Sequence, residues 1–328
     1  MLRYIDCIDA GTDFCPCTLA ERKECIICPQ LQDRNVCDCL NWKGTCMCQE
    51  FICNGLKSKK SREFKKFDIV ETVKLREDLF QLDIKVTKGL ARELNNIGSY
   101  VFLKREGDIE AYSTPSSIMN SDTVNNIISI VIRIVGPKTK ALKEVEDKIL
   151  VKGPYWNGIQ GQRFLKELKN KSCLILARGV SAAPAVLAAK KVMENGNQVY
   201  VLLDRGRSTE NFTKQKFKDL GCKVEDVSFF DRSGNISGEN AAIIEHLLKK
   251  WGFKVVLSAG SDWFHRKMIS FIRGLDKSIN FSTVNNSIMC CGEGVCGSCE
   301  IINIRGERIR SCKQQYDPSE VFLKEMDN

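Results

Sequence analysis

Histidine is almost missing from this chain of 328 residues, which has only His246 and His265. Mixed Cys/His zinc fingers and histidine-based acid–base catalysis therefore have almost no material to work with. Long apolar runs are missing too. The best, Ile127 to Val135, contains Arg133 and falls short of the roughly 18 apolar residues that a membrane helix needs. The opening MLRYIDCIDAG lacks the basic-then-apolar layout of a secretory signal. A soluble, cytoplasmic chain is expected. With 43% hydrophobic and 28% charged residues, a packed body can form and wholesale disorder is excluded.

Cysteine is what the chain has in excess. Of 17 cysteines, ten lie in residues 1–53 and five in residues 290–312, with only Cys173 and Cys222 between. A disulfide scaffold would be short and secreted, whereas clustered thiols in a reducing compartment point to metal or iron–sulfur ligands. Net charge is +9, but residues 1–53 carry five Lys/Arg against eight Asp/Glu. An acidic cysteine-rich end is unlike a nucleic-acid-binding module. The stretch Asn54–Lys66 has six Lys/Arg and one Glu; it reads as a solvated linker, with a docking strip for an acidic partner as the alternative.

The pattern along the chain divides it into a cysteine-rich module (1–55), a basic linker (56–66), a run of short strands (67–158), an alternating strand–helix region (159–287) and a C-terminal segment with the second cysteine group (288–328). Short strands broken by Gly, Asn and Asp suggest a small barrel. Strands such as CLILA and VYVLLD, alternating with helices such as PAVLAAKKVMENG, suggest a parallel sheet covered on both faces. The expected fold is thus α/β plus β, with a metal module at each end.

In the C-terminal segment, Cys291, Cys296 and Cys299 form a C-x4-C-x2-C run, and Cys312 follows. The triplet has plant-type [2Fe–2S] spacing. Gly292, Gly294 and Gly297 permit the left-handed backbone that a tight cluster loop requires. If Arg305 and Gly306 form a two-residue hairpin turn, Cys299 stands opposite Cys312, close enough for both to bind one cluster. Zinc on four thiolates is the competing reading. In the strand–helix region, Gly179, the small residues after it (Ser181 among them) and Pro184 allow a tight turn into a helix, a place suited to a diphosphate.

Taken in order, the pieces Tyr112-Ser113-Thr114-Pro115, Gly136-Pro137-Lys138-Thr139, Gly153-Pro154-Tyr155-Trp156-Asn157-Gly158, the Gly179–Pro184 turn, Ala259-Gly260 and the cysteine run resemble the electron-transfer subunit of dihydroorotate dehydrogenase. They are similar also to the small subunits of NADH-dependent ferredoxin:NADP oxidoreductase and sulfide dehydrogenase, all of the ferredoxin–NADP reductase superfamily. The resemblance spans about residues 65–315. It implies FAD in the barrel, a nicotinamide domain behind it and a [2Fe–2S] cluster near the flavin. It assigns Tyr112 and Ser113 to the isoalloxazine, with Thr114 beside them, Gly136, Lys138 and Thr139 to the FAD diphosphate, and Gly153 and Gly158 to the segment joining the domains. Four departures stand out: Glu110 occupies the place of the flavin motif's Arg, Lys138 replaces a glycine and supplies part of the missing charge, Ala177-Arg178-Gly179-Val180-Ser181 replaces a glycine-rich turn, and Ala259-Gly260-Ser261 replaces C-G-P. Asp204 could bond ribose hydroxyls of NAD, and Arg205 and Arg207 could hold the 2′-phosphate of NADP.

The N-terminal module has too few large apolar residues for a core of its own, so bound metal is expected to organise it. Cys25, Cys28, Cys37 and Cys39 are the expected ligand set, with Cys15 and Cys17 as alternates, for an additional iron–sulfur cluster or zinc. No residue presents itself as a catalytic acid or base. The expected function is that of an electron-transfer flavoprotein subunit passing electrons among NAD(P)H or a partner flavin, FAD and iron–sulfur clusters. It would dock on a larger catalytic or flavin-containing subunit, with ferredoxin as a further candidate partner. A relay or assembly subunit without nicotinamide binding, and a metal-stabilised regulatory protein, are the alternatives.

Overall fold

In the computed structural model, residues 6–37, 42–204 and 211–323 are described. The first strand, β1 (Asp6–Cys7), is followed by a short helix (Thr18–Glu21), a 3-10 turn (Pro29–Gln32) and a helix (Met47–Cys53). Ala20, Leu31 and Phe51 form a buried apolar cluster there, with Cys25, Cys28, Met47 and Cys48 packed against it.

Strands β2 (Phe64–Arg76), β3 (Leu79–Lys85), β4 (Tyr100–Lys104), β5 (Thr114–Asp122), β6 (Ile127–Arg133) and β7 (Lys148–Tyr155) close a barrel in the order β2-β3-β6-β5-β4-β7. All its neighbouring strands pair antiparallel. Phe80, Leu82, Ile84, Val101, Leu103, Ile118, Ile128 and Ile130 alternate along their strands and fill the interior.

The second domain contains β8 (Ile159–Gln160), β9 (Ser172–Arg178), β10 (Gln198–Asp204), β11 (Lys223–Val227), β12 (Val255–Ala259) and β13 (Asn280–Val284) in the order β11-β10-β9-β12-β13-β8. All pairs are parallel except β13 with β8. Strand order reverses between β9 and β12, where doubly wound sheets open a crevice for ligands. The helix Ala182–Glu194 follows β9 and packs on barrel strand β5, joining the domains. His265, in the helix Asp262–Leu275, is buried; Ser258 Oγ lies 2.8 Å from its Nδ1 and the Val284 carbonyl 3.1 Å from its Nε2.

The C-terminal segment adds β14 (Glu300–Ile302), β15 (Arg308–Arg310) and β16 (Gln314–Gln315). Strand β16 pairs with β1, so the cysteine-rich module is stitched to the other end of the chain. The barrel starts at Phe64, inside the stretch expected as linker. Nor is that stretch wholly solvated: the Arg62 side chain is 1% exposed and pairs with Asp9 at 2.8 Å and Glu293 at 3.1 Å. Its Nε donates to the Pro154 carbonyl, and its guanidinium stacks over the rings of Phe14 and Tyr155. Lys313, also buried, pairs with Asp9 and with Glu293. Four charges from four segments neutralise one another, three of them away from water and Glu293 partly exposed, the arrangement under which buried ions are tolerated.

Candidate functional site

Both stretches expected to hold a cofactor meet at strand β4. Tyr112, expected on a strand, closes the 3-10 turn Glu110–Tyr112 just before β5, because the Ser113 N–H caps back onto the Glu110 carbonyl. Tyr112 is exposed and Ser113 buried. Thr114 begins β5 opposite Leu103 of β4. Glu110, in the place of the motif's arginine, accepts from Lys152 Nζ at 2.8 Å, with Lys104 Nζ at 3.9 Å. Both ammonium groups lie over the Phe64 ring. Two lysines from β4 and β7 thus bring positive charge to the motif. No local motif announces them; only the pairing of β4 with β7 does.

Gly136 precedes the helix Pro137–Lys143, as expected of the diphosphate turn. Lys138 is exposed, but the Thr139 hydroxyl is buried and engaged with the Val135 and Gly136 backbone. Gly153 and Gly158 serve close packing: a Cβ on Gly153 would meet Val101 Cγ1 at 2.9 Å, and one on Gly158 the Gly98 carbonyl at 2.8 Å.

The C-terminal cysteine loop packs against the same strand, β4, at Tyr100 and Phe102. Tyr100, Phe102, Tyr155 and Met289 form a buried cluster with Cys299 and Cys312. Tyr100 and Tyr155 stack at 5.0 Å, and Phe102 meets Tyr155 edge-on at 5.2 Å. Gly292 (φ +73°) lies so close to this wall that a Cβ would come within 2.7 Å of Tyr155 Cε1. Cys299 and Cys312 are brought together, Sγ to Sγ 3.2 Å, but by a different register from the one expected. The pairs are Glu300 with Arg310, Ile301 with Ile309 and Ile302 with Arg308, so Cys299 faces Ser311. Asn303 Oδ1 accepts from the N–H groups of Arg305 and Glu307. The Asn303 carbonyl takes the Gly306 N–H, and Gly306 adopts φ +77°. This is a three-residue turn with a left-handed glycine, which shifts the register by one.

The loop favours anionic sulfur. The Glu293 N–H points at Cys291 Sγ, 3.3 Å away. The Cys312 thiol, hydrogen-bonding to Cys291, together with the Cys296, Glu293 and Val295 backbone, holds the Cys291 thiol below its ordinary range against its burial. Cys312 likewise holds Cys299 down, and is itself pushed up. Cys296, on the same loop, is exposed. The Tyr100 hydroxyl is buried without a hydrogen-bond partner, in electrostatic range of Cys312. A donor left over beside three gathered thiols, with glycine-freed N–H groups around them, is chemistry that fits a sulfide-bridged iron cluster. Three side chains beyond the motif hold the hairpin here: Asn157, Gln160 and Asn285 all donate to the Ser311 carbonyl, next to Cys312.

At the crevice between β9 and β12, Gly179 adopts φ +63° with open space around it, and Ser181 leads into the helix Ala182–Glu194. Asp204 ends β10 but is 4% exposed. It accepts from the Phe229 N–H at 3.1 Å and lies 3.3 Å from Arg178 Nε. The carboxylate expected to meet ribose is occupied by the arginine that replaces a family glycine. Arg205 and Arg207 lie outside the described residues.

Cys25 lines a small apolar cavity together with Cys7, Cys15 and Cys17. The Cys28 backbone N–H hydrogen-bonds to Cys25, Cys28 and Cys37 lie in electrostatic range of Cys48, and Cys39 lies outside the described residues. Among the described residues, no three Cys, His, Asp or Glu side chains converge on the position of a single metal ion, and no helix is long and apolar enough to cross a membrane.

No protein-family model matches the chain. It is similar to a dihydroorotate dehydrogenase B (NAD(+)) electron transfer subunit of Fusobacterium nucleatum, 25% identical over 236 residues that cover 70% of this chain and 86% of the relative. An uncharacterized protein from the adh 3′ region of Clostridium beijerinckii is 25% identical over 258 residues, covering 75% of this chain and 82% of its own length. Among solved structures, an NADH-dependent reduced ferredoxin–NADP oxidoreductase superposes with a TM-score of 0.62 at 21% identity, covering 78% of this chain and 89% of that one. The barrel and the parallel sheet are ferredoxin-reductase-like.

Proposed function

From this ferredoxin-reductase-like fold we propose that the chain is the electron-transfer subunit of an oxidoreductase complex, holding FAD in the barrel and a [2Fe–2S] cluster on Cys291, Cys296, Cys299 and Cys312. The observation that carries the reading is the shared strand: Thr114 of the flavin motif pairs with Leu103, and neighbouring Phe102 walls the cysteine loop at Gly292. Bound FAD would convert the two electrons of a hydride into the single electrons that an iron–sulfur centre accepts. Tyr112 offers its ring to the isoalloxazine and Ser113 its hydroxyl, while Lys104 and Lys152 supply positive charge nearby. The aromatic wall shields Cys299 and Cys312 from water. A larger subunit with its own acid–base residues would dock near the cysteine loop; ferredoxin is the alternative partner. An N-terminal iron–sulfur cluster or zinc belongs to the same reading.

A second reading, a relay subunit that does not use NAD(P)H, is favoured by the Arg178–Asp204 pair in the nucleotide crevice. Protein prepared without oxygen and titrated with NADH and NADPH separates the two. Bleaching of the flavin bands within seconds supports the first; an unchanged spectrum with either donor leaves the second. Cys296→Ser should remove about two irons per chain and spare FAD. Unchanged iron would refute the ligand set, and a colourless, zinc-containing preparation would leave only a metal-stabilised regulatory protein.

A further inference from the structure

Four thiols of the N-terminal module reach one place from separate stretches of chain. Cys7 comes from β1, Cys15 and Cys17 from the turn before the first helix, and Cys25 from the turn after it. They line a small cavity whose other walls include Phe14, Leu19, Ala20, Leu31 and Met47. All four are half-buried, and none is in a disulfide. A buried thiol by itself is only a small apolar side chain. Four of them around one cavity, in a module with three buried apolar cluster residues, make a sulfur donor set inside a water-poor shell. Iron–sulfur clusters use donor sets of this composition.

The position of the cavity adds a second line of argument. Cys7 pairs with Gln314, two residues beyond Cys312, and the Ile8 N–H donates to the Lys313 carbonyl at 2.9 Å. Strand geometry then separates the Cys7 and Cys312 backbones by at most about 12 Å. The buried Lys313 side chain, held by Asp9 and Glu293, lies between the two sulfur groups, in electrostatic range of Cys7 and Cys17.

We propose that Cys7, Cys15, Cys17 and Cys25 ligate a second iron–sulfur cluster that exchanges single electrons with the C-terminal one. In the exchange, one electron leaves the reduced centre and one is gained by the oxidised centre, with no bond made or broken. The exchange rests on the proposed C-terminal [2Fe–2S] cluster; the ligand assignment does not.

The test uses the full chain, prepared without oxygen. Iron, sulfide and zinc are measured, and EPR spectra are recorded after dithionite reduction, for wild type and three variants: Cys15→Ser/Cys17→Ser, Cys37→Ser/Cys48→Ser and Cys296→Ser. Wild type is expected to hold clearly more than about two irons per chain. The Cys15/Cys17 variant should lose that excess while FAD and the C-terminal EPR signal persist and become narrower, through loss of spin coupling. The Cys37/Cys48 variant should keep both signals. Wild-type iron of about two per chain or less, zinc in place of the excess iron, or loss of the excess only in the Cys37/Cys48 variant overturns the assignment. That wild-type count stands even if a variant fails to fold. Unchanged iron in Cys296→Ser alongside loss in Cys15→Ser/Cys17→Ser would refute the C-terminal reading instead and leave the N-terminal site standing.

Discussion

Removing the Arg62 side chain should loosen the cysteine-rich module from the rest of the molecule. Arg62→Ala takes one of two cationic partners from Asp9, breaks the contact with Glu293 and empties the space between Phe14 and Tyr155. Deleting one member of a buried ion pair costs about 3–5 kcal/mol when the other charge is left unpaired; Lys313 stays beside Asp9, so the low end of that range is expected. Even 3 kcal/mol is roughly a hundredfold in an opening equilibrium. The readout is hydrogen exchange at Ile8, whose amide bonds to the Lys313 carbonyl, with limited proteolysis of the 54–61 stretch that leads into Arg62. Asp9→Asn in the wild-type and Arg62→Ala backgrounds completes a double-mutant cycle, with coupling of about 1–3 kcal/mol expected. Acid should act the same way. Burial alone would raise the Asp9 pKa, but Lys313 and Arg62 outweigh it and hold the carboxyl below its ordinary 3.8. Its stabilisation is therefore complete above that value and is lost as pH falls through the lower folded one. The module should stay attached at pH 5 and release only below about pH 4. Exchange in Arg62→Ala within twofold of wild type would refute the argument.

Tyr100→Phe removes the unpartnered hydroxyl beside Cys312. If that group donates to cluster sulfur, its loss should lower the midpoint potential by on the order of 40 mV, the equivalent of about 1 kcal/mol for one electron. A potentiometric EPR titration with an unchanged or raised midpoint would dismiss the role. His265 supplies a pH test of the second domain. Burial lowers its pKa to about 4, with Asp262 and the Val284 carbonyl opposing. The unfolded ring takes a proton near 6.5 while the folded one does not. Stability should therefore fall by about 3 kcal/mol between pH 6.5 and 4. His265→Gln would flatten that slope in urea melts; an equally steep slope in the variant would exclude this histidine as its source.

The sheet and barrel were legible in the sequence because their signals are local: CLILA, VYVLLD and NIISIVIRIV carry strand character in consecutive residues. The C-x4-C-x2-C run was legible for the same reason. What escaped depends on partners far apart in the chain. Arg62 looks like part of a basic linker until Asp9 and Glu293, 53 and 231 residues away, arrive beside it. The hairpin register was misread by one because the Asn303 side chain builds a turn one residue longer than the Arg305–Gly306 dipeptide suggests. Lys104 and Lys152 gain meaning only once β4 and β7 lie side by side. Asp204 was read as a ribose ligand from its place at a strand end; its engagement by Arg178 is a tertiary fact.

The pairing of β1 with β16 sets a clock on biogenesis. Cys7 emerges from the ribosome early, yet its strand partner Gln314 is made some three hundred residues later, a delay of roughly 15–60 s at cellular elongation rates. During that interval the strand that carries Cys7 lacks its partner, and the amino-terminal thiols stand more open to oxidants and stray metal. A cell making this protein would benefit from keeping those sulfurs reduced until Gln314 has been made.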